Sequence, residues 1–134
     1  MGAITPIGIG VGPFWEGLVA GRSGAGPITL FDASHHKTRI AAEVSDYEPG
    51  EHFEARELRR LDRYTQFFLI AVREALAQAG IAYEEDDPAA ARAGVVAGAG
   101  FGGMQSFIEE IDVLRQRGPD RVSPTGIPKI IPNI

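Results

Sequence analysis

The sequence predicts an α/β fold, and three observations carry that reading. A long apolar helix pattern occupies residues 54–79. An apolar strand pattern at 94–97 runs through a glycine hinge into a second amphipathic helix. A further strand pattern, Ile-Ala-Ala-Glu-Val, stands at 40–44. Apolar positions spaced by threes and fours line one face of a helix, while a short apolar run bounded by turn residues reads as a strand buried between layers. Such strands need helical neighbours on both faces, which is the layered α/β arrangement.

Taken in order, the chain opens on a turn at residues 2–8. Pro13 then suits a first helical position, with Phe14, Trp15, Leu18 and Val19 at helical spacing and Gly21 as the stop. Residues 23–27 read as loop and 47–50 as another turn. In the 54–79 helix, Leu58, Leu61, Thr65, Phe68, Val72, Ala75 and Ala79 form the stripe, widened by Phe67, Leu69 and Leu76. Its second half is expected to be buried on most sides, and Gly80 stops it. In its first half Arg56, Arg59, Arg60 and Arg63 fall opposite the stripe. Residues 84–88 read as an acidic turn. The helix at 105–117 carries Phe107, Ile108, Ile111 and Leu114 on one face and is stopped by Gly118-Pro119. Pro124, Pro128 and Pro132 exclude a long regular helix from the tail. No internal repeat or low-complexity segment is visible.

Composition narrows the function classes. A domain of 134 residues buries about two-thirds of its unfolded surface. Hydrophobic content of 44% with 23% charged residues is that of a soluble globular chain rather than a disordered one. A net charge of −5 argues against nucleic acid or an anionic membrane as the main partner. No apolar run approaches the ~20 residues that span a bilayer, and no signal-peptide pattern opens the chain. The absence of cysteine excludes disulfides, zinc–thiolate sites and a thiol nucleophile from these residues. His35, His36 and His52 lack a third ligand at chelating spacing, so they read as surface-loop histidines and no metal site is expected.

Gly98, Gly100 and Gly103 satisfy G-x-G-x-x-G between a strand pattern and a helix pattern. A dinucleotide fingerprint would need a second strand ending in an acidic residue about twenty positions on. That position falls near Asp120, inside the turn-like Arg-Gly-Pro-Asp-Arg, and Phe101 would crowd a pyrophosphate. Spacing alone favours a core Phe101 at a strand-to-helix turn, with an enclosed apolar pocket as the functional alternative.

Several segments in order resemble the elongating β-ketoacyl-[acyl-carrier-protein] synthases of the type II class. They are Gly-Ala-Ile-Thr-Pro-Ile-Gly at 2–8 with Phe14-Trp15, Ser-Gly-Ala-Gly-Pro-Ile at 23–28 with Phe31-Asp32, and Arg-Leu-Asp-Arg-Tyr-Thr-Gln at 60–66. Gly-Ala-Gly-Phe-Gly-Gly at 98–103 and Val-Ser-Pro at 122–124 with Ile-Pro-Asn at 131–133 complete the set. The resemblance covers the whole chain. It implies a thiolase-like layered αβαβα fold, of which only the first part of the N-terminal half is present. The inventory of two strands and three helices is lopsided for a complete domain. Residues 1–134 are therefore expected to be a partial β-ketoacyl synthase N-terminal domain, truncated at both ends.

The resemblance further implies an acyltransferase of fatty-acid elongation, condensing acyl groups with malonyl-[acyl-carrier protein] by decarboxylation. The family's cysteine, two histidines and lysine match no residue of this chain. No catalytic residue is therefore assigned, and the isolated fragment is expected to be inactive. Phe101 aligns with a position lining the acyl tunnel, where a smaller aliphatic residue is common, which implies shorter primers. Arg56, Arg59 and Arg60 align with the basic patch that docks acyl carrier protein. No cofactor is implied, the intact family member is a homodimer, and the expected location is cytoplasmic. Thr125-Gly126 replaces two aromatic residues common in the family, and Lys129 replaces an apolar one. That departure would widen the pocket and oppose the effect of Phe101. The alternatives are a non-catalytic partner resembling a chain-length factor and a ketosynthase domain of a polyketide synthase.

Overall fold

The opening turn closes a small antiparallel hairpin. Strand β1 (Ile4–Thr5) pairs with β2 (Gly8–Ile9) around Pro6-Ile7. Helix α1 (Val11–Val19) follows. Its N-cap, Gly10, has no side chain to satisfy the first helical N–H groups, and Glu74 does so instead. One carboxylate oxygen accepts from Val11 N–H at 2.7 Å and the other from Ala3 N–H at 2.9 Å. A carboxylate there also meets the positive end of the helix dipole. Gly21, at φ 65°, ends the helix as expected.

The computed structural model describes residues 1–83 and 87–131, which form two compact units. The first comprises Met1–Glu48 and Ile70–Ile81, the second Pro49–Leu69 and Ala82–Ile134. In the first unit β3 (Ala25–Pro27) pairs antiparallel with β4 (Ile40–Ala42). The strand expected at 40–44 is thus present in shortened form. Part of the expected loop at 23–27 is its partner, because Ala25, Gly26 and Pro27 supply the register that Ile40–Ala42 needs. Glu43, just past β4, accepts from the N–H of Thr29, in the segment that connects the two strands, at 3.0 Å and from its hydroxyl at 2.7 Å.

The helix expected over 54–79 is two helices. Helix α2 (Ala55–Leu58) is started by a reciprocal capping box in which Glu54 N–H donates to the Glu57 carboxylate at 2.9 Å. The chain then turns, and α3 (Arg63–Ala79) begins. Asp62 restarts it: its carbonyl accepts from Gln66 N–H at 3.0 Å and its Oδ1 from Tyr64 N–H at 3.2 Å. This is N-cap chemistry, and it overrides a hydrophobic stripe that runs unbroken through the turn. Residues 63–69 of α3 belong to the second unit and 70–79 to the first. Its second half is not buried on most sides; Leu76 is exposed, as are residues 77–79.

Residues 94–97 form no strand. Val95 and Val96 stand 77% and 98% exposed. A strand exists through its ladder, and no partner for this segment occurs among the described residues. Helix α4 (Met104–Arg117) matches the expected 105–117 and ends at Gly118, φ 83°. The tail folds into a short helix, α5 (Gly126–Ile130), in keeping with its prolines. Phe107, Ile111 and Leu114 of α4 face Val122, Ile127 and Ile130 across an apolar cleft of about 170 Å³. Glu110 ties the two segments by accepting from Ser123 N–H at 2.9 Å. Of the expected acidic turn, residues 84–86 lie outside the described residues. Asp87 does make a turn, its carboxylate accepting from Ala89 N–H at 2.8 Å.

Candidate functional site

In the second unit the first turns of α3 and the glycine segment form the walls of one apolar cleft. Tyr64, Thr65, Phe68 and Leu69 line one side; Val95 and residues 97–102 line the other. Its volume is about 510 Å³, larger than the apolar cleft between α4 and α5. No carboxylate, imidazole, amine or thiol lines it, and Tyr64 brings its one titratable group. A lining of this kind suits an apolar ligand.

Phe101 belongs to the lining, yet its side chain is 80% exposed. The expected enclosed space is therefore an open cleft among the described residues, with Phe101 at its rim. The hinge beneath it is held more firmly. Gly103 is buried, and its N–H donates to Ile130 carbonyl at 2.9 Å. A Cβ at Gly103 would stand 2.9 Å from Asp62 Oδ2 and 2.9 Å from Ile130 Cα, so no other residue fits without displacement.

Asp62 is the centre of this contact. It is 7% exposed, and its Oδ2 accepts from Ser106 Oγ at 2.6 Å. Ser106 is 5% exposed, and Gln66, also buried, donates through Nε2 to Leu61 carbonyl at 2.9 Å. Every buried polar side chain there has a partner. Sequence reasoning missed this cluster. The available signal was Asp62 as a helix N-cap, but its partner Ser106 lies 44 positions away.

The same arrangement decides against a dinucleotide at the glycine motif. Phosphate binding uses free N–H groups and the positive end of a helix. Here the Gly103 N–H is engaged by Ile130, and the Asp62 carboxylate already occupies the approach to the α4 N-terminus. Asp120 lies in a single 3-10 turn, Pro119–Arg121, rather than at a strand end.

The three arginines expected to dock a partner are all exposed. Arg56 is in α2, Arg59 caps it, and Arg60 sits in the turn before Asp62. The Glu54 and Glu57 side chains both engage backbone N–H groups in the capping box. Arg63, which starts α3, stacks its guanidinium 4.9 Å from the centre of the Phe67 ring. His35 and His36 are exposed, the latter edge-on to Phe31 with ring centroids 5.4 Å apart, and His52 is half-buried. Among the described residues no helix is long and apolar enough to cross a membrane.

The family model for the beta-ketoacyl synthase N-terminal domain matches residues 1–134. A protein from Coxiella burnetii named 3-oxoacyl-[acyl-carrier-protein] synthase 2 is 39% identical over the whole chain. Proteins of the same name from Synechocystis sp. and Staphylococcus aureus are 38% and 37% identical. The chain spans 32% of the length of each of these relatives. Among solved structures, the ishigamide ketosynthase/chain length factor aligns with a TM-score of 0.73 at 30% identity, covering 97% of this chain and 32% of that one. The likeness gives the fold as thiolase-like α/β, in line with the mixed helices and hairpins described above.

Proposed function

The chain belongs to the β-ketoacyl synthase family, and on that premise we propose that it is the N-terminal part of an acyltransferase of fatty-acid elongation. The intact protein would be a 3-oxoacyl-[acyl-carrier-protein] synthase that condenses acyl groups with malonyl-[acyl-carrier protein]. One observation carries the reading within this chain: the cleft of about 510 Å³ whose lining is apolar apart from Tyr64 and Thr65. Such a lining suits a saturated acyl chain, since each buried methylene contributes about 0.8 kcal/mol. The exposed Val95 and Val96 support packing of this segment inside a larger layered fold.

In this reading Phe101 lines the acyl pocket and limits primer length, because bulk added to a packed site costs about 1–3 kcal/mol. Arg56, Arg59 and Arg60 form the docking patch for acyl carrier protein, whose acidic surface an exposed arginine cluster attracts. The working protein is a cytoplasmic homodimer that uses no cofactor of its own. This chain supplies no cysteine nucleophile, so these residues alone turn over nothing.

The test is a condensation assay on the full protein with primers of increasing length, comparing Phe101→Ala with the native sequence. A shift of the profile toward longer primers supports the reading, and an unchanged profile refutes the role of Phe101. Turnover by the isolated 134 residues would refute their inactivity. A second reading, a non-catalytic partner of a ketosynthase, is favoured by the likeness to a ketosynthase/chain length factor. A full protein that is active only when a second ketosynthase is added would select it.

A further inference from the structure

The Asp62–Ser106 contact joins the start of α3, which carries one wall of the apolar cleft, to the first turn of α4, which follows the glycine segment of the other wall. On one side, Asp62 Oδ1 accepts from Tyr64 N–H at 3.2 Å, at the start of the helix that carries Tyr64, Phe68 and Leu69. On the other, Asp62 Oδ2 accepts from Ser106 Oγ at 2.6 Å, in the first turn of α4 and five positions after Phe101. Between them Gly103 is fixed by its bond to Ile130, with no room for a Cβ. Phe101 itself is unrestrained by burial, being 80% exposed.

From this geometry we infer that Asp62 and Ser106 are positioning residues that set the width of the acyl cleft, acting through Phe101. The inference rests on the acyl-cleft reading of the proposed function. Asp62 holds the first turns of α3 and α4 to one carboxylate. Ser106 supplies the contact that keeps the 98–103 hinge, and with it Phe101, close to Tyr64 and Phe68. Loss of the Ser106 hydroxyl frees the hinge to withdraw and admits longer acyl chains. The hydroxyl itself never touches the acyl chain, because Ser106 is not part of the cleft lining.

The test is a double-mutant cycle on the full protein, using Ser106→Ala, Phe101→Ala and the double variant, with kcat/KM measured over a series of saturated primers. Ser106→Ala alone is expected to raise the preference for longer primers by roughly fourfold for each methylene newly admitted. In the Phe101→Ala background the same substitution is expected to leave chain-length preference unchanged, because the side chain it acts through is gone. A Ser106→Ala effect equal at all chain lengths, or one that persists without Phe101, overturns the inference while leaving the acyl cleft intact. A Phe101→Ala variant with a native profile overturns the acyl-cleft reading itself. Should Ser106→Ala lose its helical circular dichroism, Gly103→Ala replaces it. That variant keeps both polar partners but forces the hinge away from Asp62 and Ile130, and the same outcomes decide the question.

Discussion

Ser106 and Asp62, 44 positions apart, meet through a buried hydrogen bond of 2.6 Å. The carboxylate that accepts it also caps α3, so one side chain serves two helices. Replacing Asp62 by Ala removes the cap and leaves the Ser106 hydroxyl buried without its partner. The two losses together amount to about 2–4 kcal/mol. Urea denaturation should show an unfolding free energy lower by that amount, and a change within experimental error would remove Asp62 from its central place.

Glu74 holds the start of the chain in a comparable way. Its two oxygens accept from Ala3 and Val11 N–H groups, and Glu74→Gln leaves one oxygen for two donors. The expected cost is about 1–2 kcal/mol. Amide hydrogen exchange at Val11 and Ala3 should accelerate while amides of α4 keep their native rates.

Reversing charge at Arg59 and Arg60 together should raise the apparent KM for acyl carrier protein and flatten its dependence on salt. Exposed charges steer an acidic partner chiefly through long-range attraction, which salt screens. Steady-state kinetics at two ionic strengths measures both, and an unaltered KM with unaltered salt slope excludes the patch as the docking surface.

Asp32 offers a pH prediction of definite sign. The Ser34 backbone N–H, 2.9 Å from Oδ1, and the Ser34 hydroxyl hold its carboxyl below the ordinary value of 3.8. A depressed folded-state pKa contributes stability above 3.8 that is lost as pH falls through the folded value. Carbon-detected NMR titration should place the Asp32 midpoint below 3.8, and Ser34→Ala should move it upward even though the backbone donor remains.

Nicotinamide and flavin dinucleotides should not bind at the glycine motif, because the Gly103 N–H is engaged by Ile130 and the Asp62 carboxylate lies beside Gly103, where it would repel a phosphate. Calorimetric titration with NAD or NADP is expected to give no heat of binding above dilution. Saturable binding lost on Gly100→Val would restore the dinucleotide reading.

Local chemistry made much of this chain legible. Helix α4 appears within one residue of its expected start because Phe107, Ile111 and Leu114 keep period and Gly118 closes the helix. Gly21 likewise ends α1 where expected. Periodicity predicts one helix over 54–79 because Leu58, Leu61 and Thr65 continue the stripe across the turn, which leaves no break in the pattern. The N-cap at Asp62 was visible only as a residue type, and its force comes from the helix it begins and the hydroxyl it binds.

Residues 94–97 make the complementary point: valine content predicts a strand, but a ladder needs a second backbone that no run of valines encodes. The sequence by itself determined the family, through the order of its motifs along the chain, and the glycine hinge and helix ends, which depend on neighbours within a few positions. The tertiary structure alone decided that Asp62 faces Ser106, that Gly103 has no space for a side chain, and that Phe101 stands at the rim of a cleft. Those are distances between residues far apart in the chain, fixed by packing and hydrogen bonding rather than by local preference.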